Sequence, residues 1–372
     1  MRADWIIREF DACIEKRKAP TKLLSSSYQE EGLYPIVSQE KDLISGYWDN
    51  PDDLFVHRKP VVIFGDHTMV VKYIDFDFVV GADGVKILEP KDFLLPKYFF
   101  YWVSSVHIKS RGYARHYRYL KEATVPIPSL PEQQRIVDIL DQEFAKIDAL
   151  KVNAEKSLQA AKDLFQATLK KELEPKKGWR KKKIGEICVI YNGGTPSTSN
   201  AEYWDGDIQW ITPKDMGKTK EMYVSKCERT ITQLGVENSS TRILPARSVI
   251  LSSRAPIGYV AINEVPMATN QGCKGFVIGK ELYPEFLYFF LLSSTELLNK
   301  LGTGATFKEV SGKKLADIDL FLPSVKEQQC ITEQILSLSL SCSALQKNYQ
   351  KTLALCDDLK QALLRKAFNG EL

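Results

Sequence analysis

The chain has 372 residues, 44% hydrophobic and 26% charged, with a formal net charge of +4. That length admits two domains of ordinary size, each able to bury its own core, and the composition is that of a globular protein, neither disordered nor fibrous. The longest apolar runs, residues 98–103 and 286–292, fall short of a bilayer span, and Met1-Arg2-Ala3-Asp4 opens nothing like a signal peptide, so a cytoplasmic chain without membrane association is expected.

Seven cysteines, odd in number and with no close pair, argue against a disulfide framework and against a zinc site; they read as buried thiols. The four histidines, His57, His67, His107 and His116, all fall in the first half, which excludes a duplicated histidine-based active site. Each reads as a surface or loop residue.

In chain order, Trp5-Ile6-Ile7-Arg8-Glu9-Phe10 opens the first half, and Lys59-Pro60-Val61-Val62-Ile63-Phe64 reads as a short buried strand. Tyr98-Phe99-Phe100-Tyr101-Trp102 is a helix-like aromatic block ahead of a Ser-Ser pair. Between His107 and Lys121, Lys109, Arg111, Arg115, Arg118 and Lys121 interleave with Tyr113, Tyr117 and Tyr119 without one acidic residue. Such a run is either a solvated face or a nucleic-acid contact. Then comes Pro128-Ser129-Leu130-Pro131-Glu132-Gln133-Gln134, opening a long stretch free of Pro and Gly that stops at Glu174-Pro175.

The second half repeats this order. Trp179-Arg180-Lys181-Lys182-Lys183-Ile184 answers the first opening and closes a basic run that starts at Lys170; Ala246-Arg247-Ser248-Val249-Ile250-Leu251 answers the buried strand. Phe286-Leu287-Tyr288-Phe289-Phe290 answers the aromatic block. Pro323-Ser324-Val325-Lys326-Glu327-Gln328-Gln329 then opens a second long helix that ends at Asn369-Gly370. A repeat this long is a duplicated domain-plus-helix unit, not a solenoid. We place domains at 1–128 and 175–322 and helices at 129–174 and 323–372. Short apolar runs broken by Gly, Pro and Asn predict an α+β (mixed α/β) fold with irregular loops in each half.

In the second helix, Ile335, Cys342, Tyr349, Cys356 and Leu363 recur every seventh residue, with Leu338, Leu345, Thr352 and Leu359 at the complementary position, which predicts a coiled-coil seam. In the first, Leu140, Ile147, Ala154 and Ala161 hold one row inside a broader stripe. At ~1.5 Å per residue each helix is ~60 Å long, more than a domain core needs. A compact chain lays the two antiparallel, with a domain at each end and pseudo-twofold symmetry; the alternative packs each helix on its own domain.

Catalytic patterns are sparse. Gly302-Thr303-Gly304 lacks the third glycine of a dinucleotide loop, because Phe307 stands there. Asn50-Pro51-Asp52 lacks the second proline and the aromatic of an amino-methyltransferase motif and reads as a turn. Asp52, Glu89 and Lys91 make only a loose nuclease-like set.

Recognition chemistry is better represented. In the loop Asn192-Gly193-Gly194-Thr195-Pro196-Ser197, backbone N–H groups and hydroxyls could approach phosphates, although a plain surface turn fits equally. Ser253, Arg254, Asn270, Gln271 and Lys274 include side chains that read base edges, Arg to guanine and Asn or Gln to adenine. Thr303, Thr306 and Lys308 sit where the first half carries its basic tyrosine-rich segment, and Lys18, Lys22 and Arg58 complete the candidate DNA contacts.

Together, the two Pro-Ser-x-x-Glu-Gln-Gln segments, the two long helices and the Asn192-Gly193-Gly194-Thr195-Pro196 loop resemble the DNA-specificity subunit of type I restriction-modification systems, over essentially the whole chain. The resemblance implies two target recognition domains, each reading half of a split DNA site, with helices that set the gap. It implies a chain without catalytic residues, metal or cofactor of its own. Its implied partners are double-stranded DNA, two methyltransferase subunits using S-adenosylmethionine on adenine, and motor-nuclease subunits using ATP and Mg. Pro131, Glu132, Gln133 and Gln134, with Lys326, Glu327, Gln328 and Gln329, are the implied docking signature. The first half departs from the pattern: Arg17-Lys18-Ala19-Pro20-Thr21 replaces the glycine loop. An autonomous nuclease or methyltransferase, a coiled-coil scaffold without a DNA role, and self-association of the isolated chain through its helices remain the alternatives.

Overall fold

The computed structural model describes residues 4–16, 21–81, 84–109, 112, 114–219, 221–304 and 308–372. Lys18, Arg111 and Thr306 therefore lie outside the described residues. The chain divides into two compact units, Met1–Lys156 with Tyr349–Leu372, and Ser157–Asn348.

In the first unit, strand Ile6–Glu9 pairs antiparallel with Thr124–Ile127 and so closes the domain on itself. Between them, Val61–Gly65 is the centre of a three-stranded antiparallel sheet flanked by Val71–Ile74 and Val85–Leu88. Its five residues are all buried, as a continuous apolar run requires. A second sheet has four short strands, with Tyr34–Val37 parallel to Phe78–Val80 at its centre. The aromatic block forms helix Pro96–Ser105, whose proline occupies the first turn, where its missing N–H costs nothing. Tyr98, Phe99, Tyr101 and Trp102 are buried in the main core, Phe99 stacked on Trp102 with centroids 5.6 Å apart.

The second unit follows the same plan. Arg180–Lys183 pairs with Asp319–Leu322 as Ile6–Glu9 pairs with Thr124–Ile127. Val249–Ser253 sits between Ile257–Asn263 and Cys273–Ile278 in a five-stranded sheet, and a four-stranded sheet is built around Trp204–Ile211. The ladder registers correspond: Phe64 faces Lys86, and Leu251 faces Lys274. Helix Pro284–Ser293 answers Pro96–Ser105.

The long helices run Leu130–Glu172, 43 residues, and Val325–Asn369, 45 residues. The second ends on a left-handed Gly370 at φ 76°, with Glu371 N–H donating to Lys366 O and Gly370 N–H to Ala367 O. This reciprocal pair satisfies carbonyls the helix end would otherwise orphan. Within the first unit the helices run antiparallel: Lys151 pairs with Asp357 at 2.8 Å while Asp148, one turn earlier, pairs with Lys360 at 2.6 Å. Leu364, Ala367 and Phe368 enter the first domain's core beside Ile136 and Leu140, and Phe368 meets Tyr98 edge-on at 5.2 Å. Within the second unit, Leu169 packs in one core with Ile331 and Ile335.

The seam differs from expectation in one row. Ile335, Cys342 and Cys356 are buried, but Leu345 and Leu359 are 43% and 48% exposed. The second row lies four residues on, not three: Ser339, Gln346, Leu353, Lys360 and Ala367 are the half-buried or buried partners. Long polar stems serve there, as where Lys360 lies 5.0 Å over the Phe144 ring.

Candidate nucleic-acid interface

The repeated glutamine is where local sequence and packing meet most clearly. Gln133 and Gln328 are fully buried. Gln133 Oε1 accepts from Leu95 N–H at 2.8 Å, and its Nε2 donates to Phe93 O at 2.9 Å and Pro128 O at 3.0 Å. Gln328 makes the same three bonds, from Tyr283 N–H and to Glu281 O and Pro323 O, at 2.8, 2.9 and 3.0 Å. Leu95 and Tyr283 precede the aromatic helices, so each glutamine ties the start of a long helix to the start of an aromatic one. This corrects the docking assignment for both glutamines: a fully buried amide with three partners has no face for another protein. Glu132 is held by Arg135, and Glu327 accepts from Trp179 Nε1 at 3.0 Å. Pro131, Gln134, Lys326 and Gln329 remain exposed.

The glycine loop is also more internal than its composition suggests. A Cβ on Gly193 would stand 1.9 Å from Asn270 O, and one on Gly194 would stand 2.4 Å from Thr241 N, so only glycine fits. Gly193 N–H donates to Cys273 O and Gly194 N–H to Thr269 O. Those donors are satisfied within the domain, so the phosphate cradle expected of Gly193 and Gly194 is corrected to a packing role. Asn192 and Ser197 are exposed, and Thr195 Oγ1 accepts from Asn270 Nδ2 at 3.0 Å.

Around this loop the structure gathers most of the second half's candidates. Lys274, 5% exposed, donates to Glu309 Oε1 at 2.9 Å, and Arg254 lies 3.7 Å from Glu309 Oε2. Thr303 and Glu309 exchange backbone hydrogen bonds, and Glu309, next to Lys308 in the chain, also bridges Arg254. Asn270 caps its own turn through Gly272 N–H, leaving Gln271 exposed, and the Ser253 side chain is buried on Gly272 O. Asn192, Lys274, Thr303 and Glu309 share the lining of an open groove of about 860 Å³. Glu309 was missed in the sequence, where a lone glutamate outside any motif gives no signal.

In the first half, Arg58, Lys109, Arg115 and Arg118 are exposed, and Arg118 lies 4.6 Å over the Tyr119 ring. Tyr117 turns inward instead: it packs on Phe10 and Phe64, and burial pushes its hydroxyl up to about 12. His116 is a loop residue, as expected, but its ring is buried on Asp66 O. Tyr117 and Lys22 line a groove of about 460 Å³. The basic strand Arg180–Lys183 is a solvated, paired face: Arg180 meets Glu281, Lys181 meets Asp319 and Lys183 meets Asp317, at 2.9, 2.8 and 3.0 Å.

Asp52 stands in a turn capped by Asn50 Oδ1, while Glu89 is buried. Among the described residues, no group of three or more His, Cys, Asp or Glu is placed to hold a metal ion, and no helix is long and apolar enough to cross a membrane.

The family described as type I restriction modification DNA specificity domain matches residues 4–160 and again 176–354, one copy per half. The type I restriction enzyme MjaIX specificity subunit of Methanocaldococcus jannaschii is 43% identical over 157 residues, 42% of this chain and 36% of that protein. The EcoR124I/EcoR124II specificity subunit of Escherichia coli is 32% identical over 346 residues, 86% of this chain and 83% of that one. A chain from a solved structure, described as addressing complex assembly and conformational transition of the type I R-M system, superposes over 100% of this chain and 99% of its own, with TM-score 0.76 at 18% identity. Two family matches that together span most of the sequence, on two units of one plan, place this chain in the type I restriction-modification DNA specificity family.

Proposed function

We propose that each of the two domains reads one half of a bipartite DNA target, and that the long helices set the gap and carry the docking surface for methyltransferase subunits. Specificity subunits of this family are non-catalytic members of type I systems that bind DNA and act with methyltransferase and restriction subunits. The observation that carries the finer reading is the duplication with divergent loops. One scaffold, with matching ladders and matching glutamine ties, presents Arg58, Lys109, Arg115 and Arg118 in the first domain but Asn192, Arg254, Gln271 and Lys308 in the second. Two similar domains with different polar side chains suit two different half-sites. A helix of 43 residues is ~65 Å long, enough to bridge half-sites one DNA turn, ~34 Å, apart.

Pro131, Gln134, Lys326 and Gln329 are the signature residues left available to a partner. S-adenosylmethionine would be held by the methyltransferase, and ATP with Mg by a restriction subunit. Single-molecule methylation mapping of the host with and without this gene tests the reading. A split motif that disappears with the gene supports it; an unsplit motif, or none, refutes it. Removing about four residues from each helix together should shorten the gap and leave both halves intact.

A further inference from the structure

The two grooves are one groove formed twice. The first is lined by Asp11, Ile14, Tyr117 and Lys121, the second by Gly185, Cys188, Gly312 and Ala316. These are matching positions, because the strand pairs Ile6–Glu9 with Thr124–Ile127 and Arg180–Lys183 with Asp319–Leu322 carry the same register. Nearly every wall residue differs between the two. Tyr117 lines the first groove where Gly312 lines the second, and the volumes are about 460 and about 860 Å³.

One residue does not differ. Lys86, facing Phe64 in its ladder, and Lys274, facing Leu251, occupy the same position and line both grooves. Their carboxylate neighbours come from different elements. Asp66, just beyond the end of its strand, lies 3.6 Å from Lys86, and Glu309, from a loop, lies 2.9 Å from Lys274. What the duplication has kept is the ammonium, not a particular ion pair. An ammonium has three donors. Among the described residues, Lys274 uses one on Glu309, while Lys86 has its more distant carboxylate and lies 5.4 Å over the Tyr117 ring. Donors remain for an anion entering either groove.

We propose that Lys86 and Lys274 are a matched pair of DNA phosphate contacts, one per domain, around which the unlike walls read unlike bases. The inference rests on the reading that both domains bind DNA. A contact shared by two domains with different half-sites has to be indifferent to sequence, and phosphate is the part of DNA that is.

The test uses the full chain assembled with its methyltransferase subunits and a duplex carrying the mapped target. Lys86→Met and Lys274→Met retain the apolar stem and remove the charge. Each should lower the slope of log affinity against log salt by ~0.9, and the double variant by about twice that. Between 50 and 200 mM salt, each variant would then lose about 3.5-fold less affinity than the parent. The methylated motif should stay the same. An unchanged slope in variants with parental thermal melting overturns the proposal, as does a changed base at any motif position, which would make the lysine a base reader. Should Lys274→Met not fold, Lys86→Met decides alone, since its side chain is 33% exposed. If the parent complex shows no salt-dependent binding, the bipartite-reader proposal itself fails; if only the variants match the parent, the lysine pair alone fails.

Discussion

Replacing Gln133 with alanine removes the amide that holds the first long helix to its domain. Three hydrogen bonds of 2.8 to 3.0 Å disappear at a position with no solvent exposure, leaving Leu95 N–H, Phe93 O and Pro128 O without that partner. At about 1 kcal/mol net per bond, with part of the loss recovered by water entering the vacated space, destabilisation of the first unit should be about 2 to 3 kcal/mol. Gln133→Glu should be at least as damaging at neutral pH, since a carboxylate would face two carbonyl oxygens. Hydrogen exchange with mass spectrometry gives the spatial readout. Peptides covering residues 93–99 should lose protection in Gln133→Ala while those covering 281–287 do not, and Gln328→Ala should reverse the pattern. The reasoning fails if both variants keep parental protection and their urea midpoints move by less than about 0.5 kcal/mol equivalent.

Phe368→Ala empties a site that is 7% exposed beside Tyr98 and should destabilise the first unit by about 3 to 5 kcal/mol, seen as a lowered first transition in a denaturant melt. Replacing Lys181 and Lys183 together with alanine should leave the salt slope of DNA binding unchanged, because neither lines the groove that holds Lys274; a slope reduced by ~0.9 per lysine would place them on DNA instead. Burial pushes the Cys13 thiol up to about 11 and the Cys188 thiol to about 12. A folded value above the unfolded one, near 9, gives stability that is fully present below pH ~9 and lost as pH rises towards 11 to 12. The melting temperature should therefore fall across that window, less so in Cys188→Ala, and a fall of equal size in that variant would refute the assignment.

The duplication was legible because it rests on motif order, and Trp5 with Trp179 or the aromatic blocks at Tyr98 and Phe286 mark the same corners in each half. The heptad row of Ile335, Cys342 and Cys356 was legible for the same reason. The companion row was not: Leu345 and Leu359 are the more apolar residues, but Gln346 and Lys360 occupy the contact, and periodicity alone cannot see a stem that packs under a polar head. Gln133 and Gln328 read as surface signature because glutamine is usually exposed; their burial depends on carbonyls of Phe93 and Glu281, 40 and 47 residues away in the chain. The glycines of the Asn192 loop were recognised as needing close approach, but the neighbour proved to be the domain's own backbone at Asn270. Lys86 carried no motif, and only the strand register shows that it answers Lys274.

The first domain's core is finished by Leu364, Ala367 and Phe368, and Arg135 reaches Leu372 O across 237 residues of chain. On a ribosome adding ~5 to 20 residues per second, those groups arrive about 10 to 50 s after the helix they pack on. Through that interval the face of Tyr98, Ile136 and Leu140 that these residues cover stays open, while the whole second domain is being made. The first domain is thus expected to need a chaperone during synthesis more than the second, although it emerges first.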